Sequence, residues 1–310
     1  MNKESSQKLN EILTNACWTQ EQLARYLDVP QKTINLWLNN KSRPRVANEE
    51  KINEAYLDIV GRTDVDAAVL DNINNQARSK KITAAKILRD EDLLDKLTLH
   101  LTYHTNTIEG STMTLADVRE VLEDDTKVLS NKTAREQIEA RNHKAALYFL
   151  LGKLQGKGVE FRWSEQLILE THLRLLNSLA SDAGTYRNHS VRIMGTTVVL
   201  ANHIKVPELM DGLIKNLNTP TKDVIGHIAH THAVFEKIHP FSDGNGRTGR
   251  LIAFIQALQA GLVPPLVTKE RKRAYYKYLE VAQTKEAYDL LTLFIAESIL
   301  FTDSLIEDKH

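Results

Sequence analysis

His239-Pro240-Phe241-Ser242-Asp243-Gly244-Asn245-Gly246-Arg247-Thr248-Gly249-Arg250 is the stretch on which the reading of this chain turns. Pro240 denies the next backbone donor, so a helix arriving from upstream ends at His239. Residues 242–246 make a glycine-rich turn, and residues 247–262 return to helical spacing. Such a turn, leading into a helix, presents unpaired N–H groups and a positive dipole end, an anion site whose natural ligand is phosphate. Arg247 and Arg250, three apart, project from one side of the new helix, and each can bond two phosphate oxygens. The turn lacks the Gly-Lys-Ser/Thr ending of an ordinary phosphate loop.

Working outward, Ile225, Ile228, Ala229, His232, Phe235 and Ile238 mark an amphipathic helix over 224–239. The same three- and four-residue spacing recurs through most of the chain, for example at Leu169, Leu173 and Leu176, and predicts a mainly α fold. One stretch reads otherwise. Residues 191–200, with Val191, Ile193, Val198, Val199 and Leu200 around Met194, Gly195, Thr196 and Thr197, predict a small β-hairpin.

Nearer the start, Thr19 is a candidate N-cap for a helix carrying Leu23, Ala24 and Leu27 on one face. A break at residues 28–30 precedes a second short helix that would pack Ile34 and Trp37 against the first. This pair resembles a helix-turn-helix of the Cro and phage-repressor type, which implies that Gln31, Lys32 and Asn35 face base edges of DNA. Between residues 25 and 45, five basic side chains (Arg25, Lys32, Lys41, Arg43, Arg45) stand against the single acid Asp28. Modules of this shape also dock proteins.

The 310 residues leave room for a sizeable core plus one smaller module. We read residues 1–62 as the helix-turn-helix-like module, 63–98 as a helical connector and 99–310 as a catalytic domain. Forty basic and forty acidic residues cancel, so any nucleic-acid binding rests on a local patch. The one cysteine, Cys17, makes no internal disulfide and the first residues lead into no apolar signal core, which predicts a cytoplasmic location. No run approaches the roughly 18 apolar residues that span a bilayer, so no membrane partner is expected. His227, His230 and His232 fall on different helical faces and predict no zinc site.

The twelve residues 239–250 match the Fic signature at every defined position, so the domain resembles the Fic (Fido) family: a helical bundle with a small β-hairpin flap. The resemblance implies transfer of AMP from Mg-ATP to a Ser, Thr or Tyr hydroxyl of a target protein. His239 would be the general base, a task that suits imidazole because it titrates near neutrality. Asp243 would hold Mg²⁺, a hard cation that prefers oxygen ligands. Gly244, Asn245 and Gly246 would cradle the α- and β-phosphates, with Arg247 and Arg250 on the outer ones. A related phosphorylating family carries Lys in place of Arg247 and Ala in place of Gly244. Gly184-Thr185-Tyr186-Arg187 and the predicted hairpin resemble the family's target-docking flap, with Gly195, Thr196, Thr197 and Val198 as the docking edge. The stretch 273–279 resembles the helix that contacts adenine, which implicates Tyr276 and Gln283, where relatives often have Asn in place of Gln283.

Thr105-Asn106-Thr107-Ile108-Glu109-Gly110 resembles the family's inhibitory motif, on a helix at about 103–110. By that analogy Glu109 pairs with Arg250, Thr105 and Gly110 complete the motif, and the same Glu109 supports AMP removal in some relatives. Two other readings stay open: a DNA-binding regulator that uses the Fic core as a nucleotide sensor, and a transferase with another diphosphate donor. A homo-oligomer stays open too.

Overall fold

The computed structural model describes residues 4–124 and 126–308, the side chain of Val159 excepted. The chain divides into two units, residues 1–64 with 270–278 and residues 65–269 with 279–310.

In the first unit, helices α1 (Ser5–Ala16), α2 (Gln20–Leu27), α3 (Gln31–Leu38) and α4 (Val46–Ile59) close on a core of Leu9, Ile12, Leu23, Ile34, Trp37 and Ile52. Thr19 caps α2: its hydroxyl accepts from Gln22 N while the Gln22 side chain accepts from Thr19 N. The chain leaves α2 through Asp28 in the left-handed conformation, φ 53°, and Pro30 then starts α3. Residues 270–278 join this unit through Tyr278, whose hydroxyl accepts from Arg62 N at 2.5 Å.

The second unit holds α5 (Ala67–Ser79), α6 (Ala84–Arg89), α7 (Glu91–Ile108), α8 (Leu115–Glu123), α9 (Ala134–Lys157), α10 (Glu165–Leu175), α11 (Val206–Leu217), α12 (Val224–Ile238), α13 (Asn245–Gln259), the end of α14 (Lys272–Lys285) and α15 (Asp289–Glu307). α13 is buried all round from Asn245 to Leu258 apart from Gly246 and packs against α7, α9, α10 and α12. A helix with no wet face is the centre of its bundle. It therefore carries Arg247 and Arg250 into the interior, 3% and 5% exposed.

The mainly α prediction holds, but the predicted hairpin does not form strands. Residues 191–200 turn at Met194–Gly195 without a ladder, and the β pairing among the described residues is one isolated bridge, Lys81 to Leu262. Side chains take the donors a ladder would need: Thr197 N and Oγ1 donate to Glu280 Oε1 at 2.9 and 2.6 Å, and Val198 N donates to Thr196 Oγ1 at 3.2 Å. Met194 and Val199 stay 87% and 83% exposed, so the stretch lacks the buried face that holds two isolated strands together.

Candidate active site

α12 ends at His239, whose φ of 50° and ψ of 62° put a non-glycine residue in the left-handed region. That conformation costs about 1 kcal/mol and persists only where surrounding structure holds it. The holder is Arg187. Its Nε donates to His239 O at 2.7 Å, its Nη1 to His189 O at 2.7 Å and its Nη2 to Ala201 O at 2.6 Å and Ile238 O at 3.3 Å. Its N–H adds a bond to Pro240 O at 2.9 Å. Buried to 3% exposure, Arg187 thus ties both ends of the 191–200 stretch to the end of α12.

Asn245 closes the turn on itself: Phe241 N donates to Asn245 Oδ1 at 2.9 Å, and Asn245 Nδ2 donates to Phe241 O at 2.8 Å. No side chain caps α13, whose N-cap Gly244 sits at φ 79°, so its first-turn N–H groups face the turn as an anion cradle. A Cβ on Gly244 would lie 2.5 Å from Leu176 Cδ2, and one on Gly246 would collide with Glu109 Oε1.

His239 is mostly buried, and burial pulls its pKa down to about 4, with Arg187 acting the same way against the Glu236 carbonyl, Glu109 and Asp243. The imidazole is thus neutral at pH 7, the form a base requires. The carbonyl of Glu236 lies 3.3 Å from its Nδ1.

Asp243 is half exposed. Its Oδ1 accepts from Arg247 Nη2 at 3.1 Å and its Oδ2 from Arg135 Nη2 at 3.0 Å. Glu139 faces the same two guanidinium groups, at 3.3 Å from Arg247 Nη1 and 3.0 Å from Arg135 Nε. A half-exposed carboxylate beside a phosphate cradle fits a hard divalent cation. Arg250 Nη2 donates to Glu109 Oε1 at 2.5 Å, and its Nε donates to Thr105 Oγ1 at 2.7 Å. Glu109 caps α7 at its C-terminus, and Gly110 turns the chain away at φ 110°.

Five neighbours of the site escaped sequence reading: Arg187, His172, Glu139, Arg135 and Glu236. His172 lies flat on Phe241, ring centroids 3.6 Å apart, and its Nδ1 accepts from Gly184 N at 2.9 Å. Its Nε2 therefore carries the proton and donates to Asp243 O at 2.9 Å, while burial lowers its pKa to about 4. Arg187 stood in a quoted stretch and Glu236 on the helix predicted over 224–239; His172, Glu139 and Arg135 sit on other helices, and for all five only packing assigns a partner.

The remaining expected residues are less concentrated. Gln283 is buried, and its amide donates to Ala233 O at 3.3 Å. Tyr276 belongs to the first unit, 42% exposed. Gly195 turns the 191–200 stretch at φ 81°, and beside that stretch Val199, Leu209, Leu213, Val234 and Ile238 line an apolar groove of about 510 Å³. In the first unit, Gln31, Lys32 and Asn35 are all exposed on α3. Among the described residues no His, Cys, Asp and Glu cluster could hold a metal ion by itself, and no helix is long and apolar enough to cross a membrane.

Residues 162–257 match the Fic/DOC family and residues 11–56 a helix-turn-helix family. The protein adenylyltransferase fic-1 of Caenorhabditis elegans is 35% identical over 183 residues, which are 58% of this chain and 35% of that one. The protein adenylyltransferase Fic of Nematostella vectensis is 31% identical over 232 residues, 70% of this chain and 51% of that one. The chain thus spans between 35% and 51% of the length of these relatives. Among solved structures, residues 134–508 of C. elegans Fic-1 superpose with a TM-score of 0.66 at 24% identity, covering 93% of this chain and 83% of that one. A Fic domain-containing signaling protein from Bacteroides thetaiotaomicron VPI-5482 gives 0.65 at 20% identity, covering 77% and 97%. At these identities the structural likeness is one of fold.

Proposed function

We propose, for a chain that carries a Fic/DOC domain behind a helix-turn-helix domain, that it is a protein adenylyltransferase moving AMP from Mg-ATP to a Ser, Thr or Tyr hydroxyl of a target protein. One observation carries the reading: a neutral imidazole at the end of α12 faces the uncapped start of α13, with Asp243, Arg247 and Arg250 around the same turn. His239 takes the hydroxyl proton while the α13 N–H groups and both arginines hold the phosphates of ATP. Asp243 would hold Mg²⁺, which supplies charge neutralisation on the phosphates. The groove of Val199, Leu209 and Ile238 suits an apolar side chain of the target beside the 191–200 stretch.

In this reading the resting chain is restrained. Glu109 and Thr105 occupy the guanidinium of Arg250 that the γ-phosphate requires, so ATP binds unproductively until the end of α7 moves. By analogy with relatives, the same Glu109 would support removal of AMP by orienting water. The test is mass spectrometry after incubation with Mg-ATP, alone and in cell lysate. Glu109→Gly should gain AMP on itself or a target and Glu109→Gly with His239→Ala should not; equal labelling of the two, or none, rejects the transferase.

The exposed row Gln31, Lys32 and Asn35 on α3 favours a second reading, a DNA-binding regulator whose Fic core senses nucleotide. It requires salt-dependent duplex binding that Lys32→Ala and Asn35→Ala weaken.

A further inference from the structure

One buried ionisable group beside the site has no part in the scheme above. Glu236, three residues before His239, is 7% exposed, and its Oε1 has no hydrogen-bond partner among the described residues. A carboxyl at such a place is costly to bury. Helical spacing puts residues 232, 236 and 239 on one face of α12, toward α13. Gly249 lets α13 close on that face, since a Cβ there would lie 2.7 Å from Glu236 Oε1 and 3.1 Å from His232 Cε1. The other oxygen of Glu236 lies 3.9 Å from His239 Nδ1, and its main-chain carbonyl 3.3 Å from the same nitrogen. Both ends of one residue thus face one edge of the imidazole.

We propose that Glu236 is a positioning residue for His239: its carbonyl keeps Nδ1 as the protonated nitrogen, and its carboxylate stabilises the imidazolium that forms when Nε2 takes the hydroxyl proton. This inference rests on the transferase reading. In the step, the hydroxyl O–H bond breaks as Nε2–H forms, the oxygen bonds to the α-phosphorus, and the bond from that phosphorus to its bridging oxygen breaks with its electron pair leaving on pyrophosphate. Glu236 keeps its charge throughout, as the buried carboxylate of a Ser-His-Asp triad does, and the imidazolium later returns its proton to water.

The charged and titratable groups facing Glu236 are His232 and His239 from its own helix, Arg250 from α13 and Glu109 from the end of α7. Burial pushes the carboxyl up to about 7, Arg250 pulls it down, and Glu109 raises it. Departure of Glu109 removes one anion from this neighbourhood, and in the transferase reading the γ-phosphate then takes its place on Arg250.

The test uses the full chain carrying Glu109→Gly, with Glu236→Gln and Glu236→Asp added separately. Glu236→Gln should lower kcat by about 10- to 100-fold with KM for ATP unchanged, and should remove the acid limb of kcat/KM that ionisation of Glu236 sets in the parent. Glu236→Asp should recover part of the rate. Independently of turnover, the His239 ring resonance, identified by its loss in His239→Ala, should shift as the neighbouring Glu236 carboxyl ionises, and that step should be missing in Glu236→Gln. Thermal unfolding shows whether each variant is folded. A folded Glu236→Gln that keeps kcat within about twofold and leaves that step in place overturns the proposal. If the parent transfers no AMP while Glu236→Gln still removes the step, the pairing stands and the transferase reading falls.

Discussion

The guanidinium of Arg187 donates to the carbonyl oxygen of His239 at 2.7 Å, binding a buried cation to a non-glycine residue held in the left-handed region that L-residues avoid. Its acceptors are carbonyls of residues 189, 201, 238 and 239, so one side chain fixes the turn after α12 and the base of the neighbouring loop. Arg187→Met leaves four carbonyls, that of Ile238 fully buried, short of a donor and should cost about 3 kcal/mol of stability, read as the urea midpoint. It should also lower kcat more than KM for ATP rises. Unchanged stability would show that these bonds contribute nothing net.

Arg250 is held by an ion pair to Glu109 and by hydrogen bonds to the uncharged Oγ1 and O of Thr105. The ion pair adds the attraction of two full charges, which a bond to an uncharged acceptor lacks. Self-labelling by labelled ATP should therefore rise in the order wild type, Thr105→Val, Glu109→Gly. A Thr105→Val protein more active than Glu109→Gly would contradict the assignment.

Alanine in place of a helical glycine ordinarily stabilises by about 1 kcal/mol. Gly249→Ala should have the opposite sign, because its Cβ would meet Glu236, His232 and Phe235 at 2.7–3.1 Å across the α12–α13 contact. A loss of about 1–3 kcal/mol is expected in denaturant melts. A gain would mean that the two helices can part without penalty.

Burial lowers the pKa of His143 and His232 to about 3 and of His172 and His239 to about 4, against an ordinary value of 6.5. Their folded values lie below the unfolded one, so their contribution to stability is present above pH 6.5 and is lost as pH falls toward 4. Glu236, raised from 4.5 to about 7, has the reverse sign: its contribution is full below pH 4.5 and is lost as pH rises through about 7. Four groups outweigh one, so the urea midpoint should fall between pH 7 and pH 4. His232→Gln should flatten that fall, and an unaltered slope would show that the ring is not the source.

Much of this was legible before any coordinates. The 3.6-residue periodicity marked the helices, Thr19 announced the start of α2, and residues 239–250 held most of the candidate site within one contiguous turn. The expected hairpin failed because alternation at Val191, Ile193, Val198 and Leu200 describes a strand only where a partner buries one face, and here Glu280 takes the Thr197 donors instead.

By itself, then, the sequence determined the helical bundle, the glycine-rich turn and the module at its start, because helix periodicity, caps and glycine turns act over a few residues. The tertiary structure alone decided what stands around the turn: Arg187 beneath His239, His172 on Phe241, Glu139 and Arg135 around Asp243 and Arg247, and Glu236 against Gly249. Most of those partners are dozens of residues apart in the chain, and Glu236 is an ordinary helical glutamate until α13 closes over it. Their meaning comes from burial, which strengthens each charge and leaves each polar atom dependent on whichever neighbour packing brings.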